Sequence, residues 1–204
     1  MDLLNLLTEG IASEKSIEAI SQKNNTSPEK ASTVLMSAVP MLISEMKKNA
    51  ETEDGANKLS DALDLHAEDD VSDIADFLKK VDTEDGTKIL NHIMGSKDDT
   101  EKVEKNLAAK TGMDKGQVAG ILSSAAPLLL SFLGKEKKNA QASDSSDKGN
   151  DLVSMLGSIL SGGSSGSKLD IASLISFATK DDDNDGKSDL GETLGKLLGG
   201  RKLF

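Results

Sequence analysis

Two stretches decide the fold: IEAISQKNNTSPEKASTVLMSAVPMLISEM, residues 17–46, and EKNLAAKTGMDKGQVAGILSSAAPLLLSFL, residues 104–133. They lie over one another at a shift of 87 residues, with identities at Lys23/Lys110, Leu35/Leu122, Ser37/Ser124, Ala38/Ala125, Pro40/Pro127, Leu42/Leu129 and Ser44/Ser131. Other pairs are apolar on both sides, among them Ile20/Leu107 and Val34/Ile121. Each copy reads as a helix, a polar turn and a longer helix with a proline near its middle. Proline removes a backbone donor and crowds the preceding turn, so the long helix is expected to kink or restart at Pro40 and Pro127. A single helical hairpin leaves its apolar face open, whereas two copies can cover each other. The repeat therefore points to one pseudo-symmetric core.

Outward from the repeat the helical period continues. In VSDIADFLKKV, Val71, Ile74, Phe77, Leu78 and Val81 share a stripe, and TKILNHIMG repeats the pattern with Ile89, Leu90, Ile93 and Met94. Gly95 and Gly112 stand where helices should stop, and Ser27 followed by Pro28 is a helix start. Strand-like alternation is hard to find. The palette agrees, since only 2% of the 204 residues are aromatic and there is no Trp or Tyr. Leu, Ile, Val, Met and Ala must build the core, and they suit helices better than sheets. The expected fold is all-α and multihelical, with pseudo-duplicated helical hairpins forming one core.

Charge and composition exclude several classes. A formal net charge of −11 leaves no basic stripe to neutralise phosphates, and stacking aromatics are absent, so a nucleic-acid partner is not expected. The chain has no Cys, which removes disulfides, thiolate metal sites and a Cys nucleophile. The opening MDLLNLLTEGIASEK carries an acid where a signal peptide needs basic residues, and the expected location is the cytoplasm. Between Lys115 and Lys135 no residue is charged, but Gln117, Pro127 and several Ser and Gly interrupt the run. It reads as a buried core helix rather than a membrane span.

Domain boundaries follow from composition. Residues 1–135 read as the compact helical domain. Residues 136–167, with GKEKKNAQASDSSDKGN around their start and SGGSSGS at their end, read as a flexible linker carrying a short apolar helix at 151–160. Residues 168–204 form the tail. A shorter echo links DLVSMLGSILSGG at Asp151 with DLGETLGKLLGG at Asp189, each a short apolar segment ended by Gly. Such segments are too short to be stable alone and need the body, each other or a partner to pack on.

The opening MDLLNLL, the paired SAVPMLIS and SAAPLLLS, GTKILNHIMGS, and the acidic DxDxDG segment before a Gly-rich helix together resemble the YidB-like bacterial proteins of unknown function. The resemblance covers about the first 135 residues. It implies a multihelical all-α fold with no established enzymatic activity.

The one stretch with recognisable chemistry is DDDNDGKSDLGE, Asp181 to Glu192. Calcium takes six to eight oxygen ligands, and a twelve-residue loop offers them at positions 1, 3, 5, 7, 9 and 12 with Gly at 6. Placing Gly186 at position 6 makes Asp181, Asp183 and Asp185 the first three ligands. Lys187 then offers its carbonyl, Asp189 takes position 9, and Glu192 closes the shell. Asp189 and Glu192 also form a capping-box-like helix start. Ser188 and Lys180 lack the apolar character that paired EF-hands show, and no second loop of this pattern occurs. The tail is thus expected to be EF-hand-like, holding one Ca2+ weakly, at roughly 10⁻⁵ to 10⁻³ M.

Other candidates read as structural. His66 and His92 have no ligand spacing between them, and Asp69/Asp70 and Asp98/Asp99 read as negative charge at helix starts. SGGSSGS has no phosphate-loop Lys and no preceding strand; it reads as a linker, so the G-x-S-x-G spelled at residues 162–166 is not a nucleophile elbow. The expected function is non-enzymatic: a soluble bacterial helical module acting by binding a protein partner or by self-association, with a calcium-binding tail. The alternative is an envelope- or membrane-associated structural protein.

Overall fold

A computed structural model of the chain describes residues 6–140 and 148–161. Regular structure among them is helical throughout, as expected. After a π-type turn at Leu6–Ile11 come α1 (Glu14–Lys23), α2 (Pro28–Asn49), α3 (Glu53–Ala67), α4 (Ile74–Lys80), α5 (Thr83–Met94), α6 (Lys97–Thr111), α7 (Lys115–Ala140) and α8 (Lys148–Leu160). The helix starts are chemically marked. Ser13, Ser27, Thr52, Asp73, Asp82 and Ser96 each accept a hydrogen bond from a backbone N–H in the first turn of the helix that follows. Gly95 and Gly112 end α5 and α6 in the left-handed region, with φ of 85° and 62°.

The two copies of the repeat are the hairpins α1–α2 and α6–α7. Their packing is reciprocal: α1 touches α7 as α6 touches α2, and α2 lies on α7. The reciprocity runs past the repeated sequence. The helix after the first hairpin, α3, crosses onto α7, and the helix after the second, α8, crosses onto α2, where it also meets α3.

The prolines do not restart their helices. Both α2 and α7 continue through Pro40 and Pro127 to Asn49 and Ala140. The donor is still lost, so the Ser123 carbonyl cannot receive the usual bond from residue 127. Gly86 of α5 packs against that carbonyl so closely that a Cβ would lie 1.9 Å from the Ser123 oxygen. A missing side chain on α5 thus meets a missing hydrogen bond on α7.

The central helix is α7. Every residue from Ile121 to Ser131 is buried. By length and composition Lys115–Asn139 could cross a membrane, the one such helix among the described residues, but most of its apolar window is covered by the rest of the fold. Two of its small residues admit neighbours: a Cβ on Gly134 would fall 2.2 Å from the Leu63 carbonyl of α3, and one on Gly120 would strike Asn24. Residues 136–140 complete α7, and α8 seats Leu152, Leu156, Ile159 and Leu160 in the same core as the repeat. Four such side chains contribute about 1.5–3 kcal/mol each when removed from water. A thirteen-residue helix that would be marginal alone is held this way.

Candidate functional site

Asp181, Asp183, Asp185, Lys187, Asp189 and Glu192 lie outside the described residues, as does the whole tail from 168. Among the described residues, no three His, Asp or Glu side chains gather in a way that could hold a metal.

A groove arises from how helices share α7. Both α3 and α5 pack heavily on α7 and touch each other marginally if at all. The gap between them is a groove of about 520 Å3. Leu130 of α7 and Met46 of α2 line its depth, with Leu59, Ala62, Ile89 and Ile93 on the flanking helices. Asp54, Lys58, Lys88 and His92 form the more polar rim. Its volume falls in the range of natural ligand pockets, roughly 300–1,000 Å3. The end near α2 is tied by Asn49, whose Nδ2 donates to the Ile93 carbonyl at 2.8 Å.

One atom in the groove lacks what burial demands. The side-chain oxygen of Asn91 is closed off from solvent and accepts no hydrogen bond from the described residues. A buried acceptor left unpaired costs about 1–3 kcal/mol. On the rim, Lys58 is held at 2.7 Å from Asp54. The groove therefore offers apolar surface and two lysines with one nearby acid, and the Asn91 oxygen is enclosed behind its lining.

The histidines stand apart. His92 is exposed on the groove rim. His66 Nδ1 lies 2.8 Å from Asp69 Oδ2, and the Ser131 hydroxyl donates to the same carboxylate oxygen at 2.6 Å. The residue types are those of a hydrolytic triad, but the order is wrong. Serine bonds the carboxylate rather than the imidazole, so this arrangement gives the hydroxyl no base of the triad kind. Ser131 is also fully buried, and its one proton, given chiefly to Asp69, is shared with the Pro127 carbonyl at 2.9 Å. The cluster fastens the segment after α3 to α7, helped by Lys135, whose ammonium donates to the Asp69 carbonyl at 2.6 Å.

That geometry corrects one expectation. Asp98 and Asp99 do lie in the first turn of α6. Asp69 and Asp70 precede α4 without joining its first turn: Asp69 serves His66 and Ser131, and Asp70 accepts from Ser72. The residue capping α4 is Asp73.

Buried charge, too, is structural. Lys137 is 4% exposed and donates to the Ser60 carbonyl, the Ser60 hydroxyl and Asp64, which uses all three of its protons. Lys23 donates to the carbonyls of Leu78 and Val81 at the end of α4, and burial pushes its ammonium pKa down while Asp82 pulls it back up. Burial raises the Glu104 carboxyl above its ordinary value although Lys115 lies 3.5 Å away. The stronger bond of Lys115 goes to Glu101, whose pKa it lowers.

The sequence signature of a family described as bacterial protein of unknown function (DUF937) matches residues 5–136. The chain belongs to this DUF937 family. No curated protein and no solved structure matches it. The DUF937 region runs from the π-turn into the last turns of α7, so it contains the whole groove. Both α8 and the acidic loop lie beyond it.

Sequence reasoning did not find the groove. Its one local signal is Asn91, an amide set between Ile89–Leu90 and Ile93–Met94 on a helix that otherwise presents apolar residues there.

Proposed function

We propose that the chain is a soluble, non-enzymatic binding module of YidB-like type. Its groove takes a short apolar segment of a protein partner, and its tail loop takes one Ca2+. The observation that carries the first part is the apolar floor left open between α3 and α5, built by Leu59, Ala62, Ile89, Ile93 and Leu130. A partner helix laid between α3 and α5 would pack on both and on α7, the usual helix-in-groove mode. Lys58 and Lys88 on the rim favour acidic residues flanking the apolar segment. Support for calcium is the residue type at each of the six loop positions.

Each part has its own test. An amphipathic leucine peptide with acidic flanks is titrated into the full chain, and methyl signals of Ile89, Ile93 and Leu130 are followed. Saturable shifts that Ala62→Glu abolishes are expected; no shifts, or shifts that survive Ala62→Glu, overturn the groove reading. For the loop, calcium is titrated calorimetrically into wild type and Glu192→Gln while the Gly186 amide is watched by NMR. Heat and a Gly186 shift in wild type, both lost in the variant, are expected. Identical traces remove the metal.

A further inference from the structure

Leu65 of α3 is 73% exposed, the one large hydrophobic side chain in that state among the described residues. A single surface leucine is ordinary. Its surroundings are not. Leu65 falls three residues after Ala62 and seven after Lys58, a spacing that sets all three along one stripe of α3. Lys58 and Ala62 line the groove, so Leu65 continues the line of the groove wall toward the C-terminal end of α3.

The charges on the two sides complement each other. At the groove, Lys58 is already held by Asp54 at 2.7 Å. Around Leu65, Asp64 is held by Lys137 and Glu68 by Lys138. Asp61, one turn before Leu65, is exposed and bonds to none of the described residues. Lys88 on the groove rim is exposed and likewise bonds to none of them. An unmatched acid thus sits beside the exposed leucine, and an unmatched base beside the apolar floor.

We infer that the groove's partner is a second copy of this chain: Leu65 of one molecule enters the groove of another, and Asp61 of the first pairs with Lys88 of the second. This rests on the reading of the groove as a docking site and names its occupant. The occupant has the character the groove favours, an apolar group with an acid beside it, and a formed helix already displays it. In the neighbour's groove Leu65 meets Leu59, Ala62, Ile89 and Ile93, which removes from water the leucine that the fold leaves exposed. An ion pair on the rim adds little affinity but fixes which way the entering helix lies. With a formal charge of −11 the copies repel at long range, so association is read at physiological salt, where charges beyond about 8 Å are screened.

The full chain is followed by sedimentation velocity with interference optics, since it lacks Trp and Tyr, and in chelator so that the tail loop stands apart. A sedimentation coefficient that rises with concentration is expected for wild type. Leu65→Ser should weaken association by about tenfold, and Ala62→Glu, from the groove side, should weaken it as well. Far-UV circular dichroism checks that each variant is folded. Asp61→Lys and Lys88→Glu should each weaken association, and the double variant should recover it. Asp61→Lys lowers the overall negative charge, so weakening by it cannot come from repulsion between whole molecules. Wild type that stays monomeric at every concentration, while the leucine peptide still shifts Ile89, Ile93 and Leu130, overturns the second copy and leaves the groove reading standing. Association that survives Leu65→Ser or Ala62→Glu overturns it by placing the contact elsewhere. Monomers whose groove also ignores the peptide remove both readings. A double charge variant no tighter than the single ones overturns the pairing of Asp61 with Lys88.

Discussion

Gly86→Ala is the sharpest test of the contact at the heart of the fold. The added Cβ would lie 1.9 Å from the Ser123 oxygen and 2.7 Å from its carbonyl carbon, both backbone atoms of α7. No rotamer relieves such an overlap, so α5 must back away from α7 by more than an ångström. Leu90 and Ile93, buried one and two turns further along α5, move with it. Overpacking of this kind costs about 1–3 kcal/mol and occasionally more. Against it stands the better helix propensity of Ala, about 0.8–1.0 kcal/mol. Because the clash is backbone on backbone, the upper end of the cost applies, and a net loss of about 2 kcal/mol is expected. For a chain of this size that lowers Tm by about 4–8 °C. Gly157→Ala in α8 is the matched control, since its Cβ would meet the flexible Lys47 side chain at an ordinary 3.7 Å. It should gain stability by up to about 1 kcal/mol. Urea unfolding followed by far-UV circular dichroism reads both, with no need of aromatic fluorescence. A Gly86→Ala chain as stable as wild type would refute the claim that the Ser123 carbonyl left free by Pro127 is what α5 packs against.

Three further substitutions probe the polar fastenings. Glu104→Gln should be more stable than wild type at neutral pH. Burial raises the Glu104 pKa in the folded state, so ionisation works against folding above that pKa, and the advantage should vanish as pH falls below the ordinary Glu value of 4.5. Equal stabilities at neutral pH would contradict the assigned cause. Lys137→Met should cost about 1.5–3 kcal/mol, the range for hydrogen bonds to a charged group. Asp64 is half exposed and rehydrates, which favours the lower end in the same urea titration. Lys23→Met should speed amide exchange in α4 while leaving α7 protected. Uniform acceleration would mean that the cap supports the whole body rather than one helix.

Much of the body was legible because its signals are local. The capping residues, Gly95 and Gly112 mark helix ends within a turn of where they act, and the duplicated hairpin announces its own partner. The uncharged run of α7 reads as core because no charged side chain there needs water. What escaped depends on contacts between distant segments. Lys137 sits in a lysine-rich stretch that reads as the start of a linker, but its partners Ser60 and Asp64 lie on another helix that α7 reaches only by continuing. The role of Asp69 is hidden in the same way, since Ser131 is 62 residues off. The groove is less visible still: it is a gap between two helices, set by how both lean on a third. As for Pro40 and Pro127, the lost bond was foreseen. The restart was not needed, because dense packing on α7 holds the helix through the defect.

DTEDGTKILNHIMG, residues 82–95, aligns with DDNDGKSDLGETLG, residues 182–195, through Asp82/Asp182, Asp85/Asp185, Gly86/Gly186, Leu90/Leu190 and Gly95/Gly195. The places where the two sequences differ bear on the proposed loop. Within the body, α5 supplies a groove wall, and the stretch from Asp82 runs directly into it: Asp82 caps α5, and Gly86 lies inside it. That copy has no use for a cation, because Ile89 packs on the core and His92 faces the groove rim. In the tail the same positions hold Asp189 and Glu192, Thr83 is matched by Asp183, and the inserted Asp181 adds another carboxylate. Thus four of the six oxygen-bearing positions of the proposed loop fall where the two copies differ; only Asp185 and the carbonyl of residue 187 have equivalents in kind. Had the tail merely kept the acidic character of the whole chain, its extra carboxylates would have had no reason to fall at spacings one, three, nine and twelve around a shared glycine. The difference between the two aligned segments is therefore a sequence argument for the proposed loop.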